Sequence, residues 1–358
     1  MIDKTVPIDT SHPVLVTGAT GYVAGWLVKS LLEAGCTVHA TVRDASKKDE
    51  LKYLTDIADK NSGTLRFFEA DLLKEGSFAE AMQGCSLVYH TASPFTLKVA
   101  DPQKDLIEPA QLGTRNVLEQ AKKTDSVKRV VVTSSCAAVY GDTQDLQNKK
   151  GDKFTEADWN ETSSLTHIPY SYSKTLAERE AWKIAESQDK WRLVVINPSL
   201  VVGPGLNPMA TSETFNLFTQ FGDGTMKAGL PDLRIGAVDV RDVVDAHIAA
   251  GFLPDAQGRH ITSAQEVSFL EMAKYLQKHF GNQYPFPKRR LPKWLISMIG
   301  PAVDKSMSRK FIKRNVGFPL HLDNSKSRQE LGITYRPVET AAVELFQQLI
   351  DSGRIKKA

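Results

Sequence analysis

Cysteine is scarce in this sequence, and long apolar runs are absent. The three cysteines, Cys36, Cys85 and Cys136, stand far apart and form no Cys-x-x-Cys or Cys/His spacing. We therefore expect reduced thiols, and neither a disulfide framework nor a metal site. No apolar stretch approaches the ~20 residues of a membrane-spanning helix, and the N-terminal MIDKTVPIDT lacks the apolar core of a signal peptide. These absences predict a cytoplasmic protein without stable membrane insertion.

A strong excess of one charge is also missing. The chain has 45 Lys and Arg against 42 Asp and Glu, a formal net charge of +3. This balance argues against a dedicated nucleic-acid binder. A chain of 358 residues is long enough to bury a large core in one α/β domain or in two closely joined ones. We expect a monomer or a homodimer that acts on a small molecule.

The sequence PVLVTGATGYVAGW, at residues 13–26, is organised as a short apolar strand, a glycine turn and the start of a helix. Gly18 and Gly21 allow the backbone to turn sharply and to approach a ligand closely. The helix that follows points unpaired N–H groups at that ligand, which suits a pyrophosphate. The spacing Gly-x-x-Gly-x-x-Ala, with Ala24 third, is a form of the dinucleotide fingerprint. A tight strand-to-helix turn without a ligand would give the same pattern.

Strands and helices alternate over the next 170 residues. Segments rich in apolar and β-branched residues predict further strands at 37–44, 65–70, 87–90, 130–133 and 193–196. Helices are predicted between them, near 47–60, 78–82, 105–123 and 172–188. This alternation predicts an α/β fold with a doubly wound parallel sheet.

After Pro198 the alternation stops, and glycine and proline interrupt short helical segments. We therefore assign residues 1–198 to a dinucleotide-binding domain, with 236–264 returning to it. Residues 199–235 and 265–358 are assigned to a smaller, partly discontinuous substrate-binding domain. No internal repeat or low-complexity tract is present.

Tyr170 and Lys174 are four residues apart, so they lie one turn apart on the same face of a helix. A free phenol has a pKa near ~10. We expect the lysine cation to favour the phenolate and so to lower the pKa of Tyr170. Tyr170 is thus a candidate acid/base group, and Lys174 is a candidate for binding a sugar hydroxyl. Such pairs also occur on exposed helices without any function.

A hydroxyl-rich segment, Thr133-Ser134-Ser135, follows the fifth predicted strand. The carboxyl edge of an open α/β sheet is where ligands bind. A serine hydroxyl at that edge can donate to a substrate carbonyl as negative charge develops on its oxygen. Together with the glycine turn and the Tyr170–Lys174 pair, this segment predicts one cofactor site.

The motifs TGATGYVAGW, HTASP at 90–94, VVVTSS, YSYSK and NPSLVVGP at 197–204 together resemble the extended short-chain dehydrogenase/reductases. Within them the chain is similar to the dihydroflavonol reductase, cinnamoyl-CoA reductase and methylglyoxal reductase branch. The resemblance implies a Rossmann fold and a catalytic triad of Ser135, Tyr170 and Lys174, with Ser134 as an alternative to Ser135. It implies that a carbonyl is reduced by hydride from a nicotinamide cofactor while Tyr170 protonates its oxygen.

The expected cofactor contacts lie at the glycine turn and at the ends of the strands. The resemblance places adenine and ribose near Asp71 and Leu72, and nicotinamide near Thr91, Ala92 and Pro198. The full set of predicted cofactor-binding residues is Gly18, Thr20, Gly21, Tyr22, Val23, Arg43, Lys48, Asp71, Leu72, Thr91, Ala92, Ser93, Thr133, Tyr170, Lys174 and Pro198.

Arg43 is the residue that favours NADPH over NADH as the cofactor. NAD-specific folds usually place a carboxylate after the second strand, whereas an arginine accommodates the 2′-phosphate of NADP. A guanidinium fits a phosphate both by its charge and by its fork of donors. In the alternative, Arg43 pairs with Asp44 or points into solvent. We expect NADPH.

Several aromatic and apolar side chains are candidates for a substrate pocket. Phe95, Tyr140, Tyr172 and Met209 are the residues that we assign to it, and Phe215 and Phe218 are further candidates. For at least half of these residues, ordinary core packing is the alternative. Plant flavonoid reductases tend to have asparagine in place of Tyr140, which makes a flavonoid substrate doubtful.

Three other functions or roles stay open. A sugar-nucleotide epimerase or dehydratase would retain NAD, but the asparagine that such enzymes often carry before Gly113-Thr114 is missing. A non-catalytic dinucleotide sensor would commonly lack the Tyr170–Lys174 pair. Residues 288–314 form a basic amphipathic region that either contacts a membrane surface or an anionic substrate, or is a solvated helix pair.

Overall fold

The computed structural model describes residues 5–93, 99–207, 212–304 and 306–356. Ten strands in these ranges are numbered in chain order. Their bounds are β1 Val14–Thr17, β2 Thr37–Val42, β3 Thr64–Glu69, β4 Leu87–His90, β5 Arg129–Thr133, β6 Arg192–Pro198, β7 Leu200–Val202, β8 Arg234–Asp239, β9 Gly258–Thr262 and β10 Gln265–Ser268.

Seven strands form the main sheet in the order β3-β2-β1-β4-β5-β6-β9, and each neighbouring pair is parallel. The order reverses at β1, which places a topological switch point between β1 and β4 at the carboxyl edge. This arrangement confirms the predicted α/β class with a doubly wound parallel sheet.

The helices of the described residues are likewise numbered in chain order. Their bounds are α1 Tyr22–Glu33, α2 Lys48–Ala58, α3 Ala79–Met82, α4 Glu108–Lys123, α5 Pro169–Glu186, α6 Glu213–Gly222, α7 Val240–Phe252, α8 Phe269–Phe280, α9 Lys293–Val303, α10 Arg309–Asn315, α11 Ser325–Leu331 and α12 Val338–Asp351. In this set, no helix is both long enough and apolar enough to cross a bilayer.

The main sheet is buried on both faces because successive side chains of a strand point in opposite directions. In β1, Val14 and Val16 belong to the cluster formed with α1 and α7, whereas Leu15 packs on the opposite side with α4 and α5. All three residues are fully buried. Such strands read as continuous apolar runs, and this is why the sequence predicts them.

Two helices depart from the expected bounds. The helix predicted to start at residue 172 begins at Pro169, because proline at the first helical position is favoured and needs no N–H partner. Tyr170 therefore lies in the first turn of α5. The helix predicted over 105–123 consists of a π-helical turn, Gln103–Ile107, followed by α4.

A second, three-stranded sheet in the order β10-β8-β7 lies beyond Pro198. It packs with α6, α8 and α12 around an aromatic core that includes Phe280, Phe286 and Phe346. Of the segment 236–264, α7 and β9 join the main sheet layer, but β8 pairs with β7 and β10. Near the C-terminus, Leu331 belongs to the core of the main sheet. The division into two domains stays a prediction.

Candidate active site

The glycine turn after β1 has the backbone geometry that a phosphate needs. Gly18 has a φ of +64°, and a Cβ at this position would lie only 2.9 Å from the Cβ of Ala92. The turn closes through a hydrogen bond from the Gly21 N–H to the Gly18 carbonyl at 2.9 Å. Helix α1 starts directly after it without a side-chain cap. Its first N–H groups therefore suit the pyrophosphate of a dinucleotide.

The other residues at this turn differ in their surroundings. Thr20 is exposed and Val23 is half-buried. The Tyr22 hydroxyl donates to the Gly203 carbonyl at 2.5 Å, and the Trp26 indole donates to the Pro204 carbonyl at 2.8 Å. Both side chains thus attach α1 to the loop after β7.

Arg43 lies at the end of β2, directly beside the glycine turn. The Gly18 and Ala19 N–H groups bond to the Thr41 side chain and carbonyl. Asp44 accepts hydrogen bonds from Ser46 rather than from Arg43, and these bonds lower the pKa of Asp44. The exposed guanidinium of Arg43 has no partner among the described side chains. Its position and charge fit a phosphate on the adenosine ribose.

Lys48 and the Asp71–Leu72 pair border the same edge of the sheet. Lys48 is the first residue of α2 and is exposed. Asp71 follows β3, and its carboxylate accepts the Leu73 N–H at 2.9 Å. The Leu72 carbonyl accepts the Asn116 amide at 2.7 Å, so this turn rests on α4. The turn therefore has a fixed place at the carboxyl end of β3, where the adenine is expected.

The segment after β4 is tied to the end of β1 through Thr17. The Thr91 hydroxyl donates to the Thr17 carbonyl at 2.5 Å, and the Ala92 N–H donates to the Thr17 hydroxyl at 3.1 Å. His90 also contacts that hydroxyl, at 3.0 Å, and burial lowers the pKa of His90 to about 3. His90 is thus a packed strand-end residue. Thr91, Ala92 and Ser93 lie beside the switch point, as a nicotinamide site requires.

The structure brings Tyr170 and Lys174 together on α5 above this segment. The Lys174 ammonium lies 5.9 Å from the centroid of the Tyr170 ring and donates to the Ser93 hydroxyl at 2.9 Å. It also lines a cavity of about 20 Å³ between α4 and α5. Burial lowers the pKa of Lys174 to about 8. The ammonium is therefore mostly charged at neutral pH.

The expected direction of the Tyr170 pKa shift is wrong. Half of the residue's surface (50%) is exposed, and burial of the remainder raises the pKa of Tyr170 to about 12. The negative charge of Glu213, at the start of α6, raises this pKa further. Desolvation and Glu213 thus determine the direction of the shift, and the phenol is protonated at neutral pH.

Ser134 and Ser135 differ in what they contact. The Ser134 hydroxyl is buried and donates to the Glu178 carboxylate at 2.5 Å. The Ser135 hydroxyl accepts the Ala137 N–H at 3.1 Å, and the Pro198 carbonyl at 3.5 Å is a distant acceptor. Ser135 therefore keeps a proton that it can donate to a ligand. This geometry favours Ser135 over Ser134 for the predicted role.

Thr133, the last residue of β5, contacts a buried histidine. His247 Nδ1 bonds to the Val243 carbonyl at 2.7 Å, so this nitrogen carries the proton and Nε2 accepts from the Thr133 hydroxyl at 2.7 Å. Burial lowers the pKa of His247 to about 4. The Thr133 hydroxyl is therefore engaged inside the protein. Its predicted contact with the cofactor stays untested.

A buried polar network that the sequence does not predict lies behind Ser135. The Glu178 carboxylate also accepts from the Asn197 amide at 2.7 Å and from the Arg259 guanidinium at 2.5 Å. Asn197 in turn donates to the Ser135 carbonyl at 3.2 Å. The network thus holds the backbone of the triad serine in place. In sequence, Glu178 and Arg259 are 81 residues apart and look like surface charges.

The residues just before Tyr170 are fixed by a second buried contact. His167 bonds to the Asp142 carboxylate at 2.8 Å, and both residues are buried. His167 therefore packs inside the protein and does not face a substrate. Ile168, between it and Pro169, has a φ of +51°, which is strained for a β-branched residue. The His167–Asp142 contact holds this strained turn at the start of the catalytic helix.

The predicted substrate-pocket residues have different surroundings. Tyr140 stacks on Phe154 with 5.0 Å between ring centroids, and Tyr172 is half-buried on α5. Phe215 and Phe218 are core residues, 3% and 0% exposed, because α6 turns them into the aromatic core of the second sheet. For these two candidates, the alternative of ordinary core packing is the one that the structure shows. Phe95 and Met209 lie outside the described residues.

These features define a dinucleotide-binding oxidoreductase, in which a glycine turn and a Tyr-x-x-x-Lys pair meet at one switch point. Residues 14–262 match the NAD dependent epimerase/dehydratase family. The chain belongs to this family and, within it, to the extended short-chain dehydrogenase/reductases.

Known proteins of three kinds are similar to the chain. Cinnamoyl-CoA reductase CAD2 of Medicago truncatula is 36% identical over 339 residues, which cover 94% of this chain and 95% of that protein. The bifunctional dihydroflavonol 4-reductase/flavanone 4-reductase of Pyrus communis is 31% identical over 97% of this chain and 92% of its own length. The solved yeast methylglyoxal/isovaleraldehyde reductase Gre2, complexed with NADPH, superposes with a TM-score of 0.76 at 27% identity, covering 96% and 100% of the two chains.

Proposed function

We propose that this oxidoreductase reduces an aldehyde or a ketone to an alcohol with NADPH, and that Tyr170 is the proton donor. The observation that carries the proposal is the Tyr170–Lys174 pair beside Ser93 and above the switch point. The named reductases among the relatives, and the NADPH in the yeast structure, support the direction of the reaction and the cofactor.

The residues at the carboxyl edge fit this cofactor. The uncapped α1 terminus would hold the pyrophosphate, Arg43 the 2′-phosphate, and Lys174 a hydroxyl of the nicotinamide ribose after leaving Ser93. When bound, NADPH supplies the hydride to the carbonyl carbon. The protein supplies position, a proton and stabilisation of the oxygen.

Tyr170 and Ser135 act on the carbonyl oxygen. Ser135 donates a hydrogen bond that strengthens as negative charge develops on this oxygen. The phenol of Tyr170, with its pKa raised to about 12, is protonated at neutral pH and transfers its proton to the more basic alkoxide oxygen. The charged Lys174, 5.9 Å from the ring, stabilises the phenolate that remains.

An assay of NADPH oxidation at 340 nm tests the proposal. The purified protein is offered aliphatic aldehydes, aryl aldehydes, ketoesters, dihydroflavonols and acyl-CoA thioesters, with NADH as the parallel cofactor. We expect one class of aldehyde or ketone to be turned over, with one alcohol formed for each NADPH oxidised. Turnover of an acyl-CoA thioester would instead release free CoA and form an aldehyde with the first NADPH. Tightly retained NAD without net NADPH oxidation would instead indicate an epimerase or dehydratase. Binding of NADPH without turnover of any class would indicate a sensor.

The cellular location and the oligomeric state complete the proposal. The scarce cysteines, all three of them free and buried, support a cytoplasmic enzyme. We expect a monomer or a homodimer, which light scattering of the purified protein distinguishes.

A further inference from the structure

The positive charge of the chain is concentrated in one segment. Residues 288–314 contain nine Lys and Arg against one acid, Asp304, which gives the segment a formal charge of +8. The whole chain has +3, so the remainder carries −5. The segment consists of α9, α10 and the residues that flank them.

Helix α9 presents a large apolar face to solvent. Trp294, Met298, Ile299 and Val303 are 66%, 67%, 44% and 81% exposed. Trp294 and Met298, four residues apart, lie on the side opposite the buried Ile296 and Gly300. Ile299 and Val303 extend the exposed apolar surface around the helix. No charged residue lies between Trp294 and Val303, whereas the outer face of a surface helix is ordinarily polar or charged.

The opposite side of α9 is packed against the protein. Ile296 and Gly300 are buried, and both belong to the contact with Ile312 of α10. The Lys293 ammonium, at the start of α9, donates to the carbonyl of Val316 at 2.7 Å. These contacts fix the orientation of α9, so its outer face stays exposed to solvent.

Helix α10 is equally well anchored. Arg314 and Asn315, at its end, bond to the buried carboxylate of Asp142. The α9–α10 pair is therefore a fixed part of the molecule.

Basic side chains are exposed on α10, the helix that packs against α9. Arg309, Lys310 and Lys313 are exposed on one side of α10, and no carboxylate of the described residues pairs with any of them. Three more basic residues, at 288–290, precede α9 and are also exposed. Apolar and cationic groups thus occur together in one small region.

We propose that the outer face of α9 and the basic residues of α10 form a docking surface for an anionic lipid membrane. An interfacial helix buries its apolar side chains at the boundary of headgroups and acyl chains, while Lys and Arg attract anionic lipids. Trp294 is a residue type enriched at that boundary. The charge complementarity between the exposed Arg309, Lys310 and Lys313, which have no carboxylate partner among the described residues, and an anionic leaflet favours lipid over a neutral apolar partner. Docking of this kind is peripheral, because α9 has only 11 residues.

Flotation of the full chain with vesicles tests this surface. Vesicles of phosphatidylcholine alone are compared with vesicles containing about one third phosphatidylserine, at low and at physiological salt. We expect binding to the anionic vesicles only, and weaker binding at the higher salt concentration.

Two sets of variants separate the apolar and the charged contributions. Trp294→Ser with Met298→Ser should weaken binding to anionic vesicles by about tenfold or more. Arg309→Gln, Lys310→Gln and Lys313→Gln together should weaken it by about 100-fold, since each basic residue near such a surface contributes about one factor of five.

The matched control removes three charges elsewhere. Lys60→Gln, Lys128→Gln and Lys183→Gln change exposed lysines outside the segment and should leave binding within about threefold. Melting temperatures, expected to stay within about 2 °C of the unmodified chain, show whether each variant is folded.

Three results would overturn the proposal. The first is equal binding, or none, to anionic and neutral vesicles. The second is an equal loss in the control variant, because net charge alone would then explain the binding. The third is a dimer in light scattering that Trp294→Ser and Met298→Ser dissociate, without vesicle binding, because the face would then be an interface between two copies of the chain.

Discussion

The two ends of the crevice are built by different means. At the glycine turn, backbone N–H groups and the start of α1 form the surface, and the exposed Arg43 adds a charged side chain. At the Tyr170–Lys174 end, side chains act, and buried polar contacts from distant parts of the chain hold them. The first end needs a local backbone shape, whereas the second needs the completed fold. Substitutions at the glycine turn should therefore lower the selectivity for NADPH over NADH. Substitutions at the Tyr170–Lys174 end should lower the rate of reduction or the stability of the fold.

Tyr170→Phe should have the largest effect. The variant keeps the ring but loses the proton donor, so reduction should slow by about 10²–10⁴-fold. NADPH affinity, followed by nucleotide fluorescence, should change by less than about threefold. Tyr275→Phe, on α8 and outside the predicted cofactor and substrate sites, is the matched control and should stay near full activity. If the Tyr170 variant still reduced the substrate at a rate close to that of the unmodified enzyme, another group would have to supply the proton.

Glu178→Gln tests the network behind the serine. Glu178 and Arg259 are both buried, and their pair has an Nε–Oε1 distance of 2.5 Å. Removing one charge leaves the other without compensation, so the free energy of unfolding should fall by about 3 kcal/mol.

Lys52→Gln, which breaks an exposed pair with Asp56, is the control for Glu178→Gln and should cost less than about 1 kcal/mol. Urea unfolding measures both variants. Equal stability of the two would show that the buried pair is not needed to hold the fold.

Arg43→Ala addresses the cofactor end. Charge-assisted hydrogen bonds contribute about 1.5–3 kcal/mol, so the preference for NADPH over NADH in kcat/KM should fall by about 10- to 100-fold. Lys47→Ala is the control, because Lys47 already pairs with Glu50 at 2.9 Å. Stability should be unaffected in both, in contrast to Glu178→Gln. An unchanged preference in the Arg43 variant would remove this residue from the 2′-phosphate site.

The difference between the two ends also explains what the sequence could predict. The glycine turn, the strand ends and the Tyr170–Lys174 pair are local patterns, in which a few neighbouring residues determine a turn, a strand or a helix face. The main sheet was predictable for the same reason, because its buried parallel strands are apolar throughout.

The supporting contacts were not predictable from local pattern. Glu178 and Arg259 resemble solvated charges until the fold brings them together. Phe215 and Phe218 resemble pocket residues until the second sheet covers them. The direction of the Tyr170 pKa shift was missed because it depends on enclosure and on Glu213, which is 43 positions away in a separate part of the fold.

Glu213→Gln should give the smallest effect and sharpens the picture of the catalytic end. Glu213 raises the pKa of Tyr170, so its neutral replacement should lower that pKa. Oxidation of the alcohol requires the phenolate, whose fraction below the pKa grows tenfold for each unit by which the pKa falls. Because Tyr170 is half exposed, solvent screens the interaction between the Glu213 carboxylate and the phenol. We therefore expect the rate of alcohol oxidation at pH 7 to rise by only about twofold. Asp223→Asn, at the far end of the same helix, should change nothing. An unchanged rate of oxidation by the Glu213 variant would mean that burial alone determines the phenol pKa, and a slower rate would mean that Glu213 does not raise it.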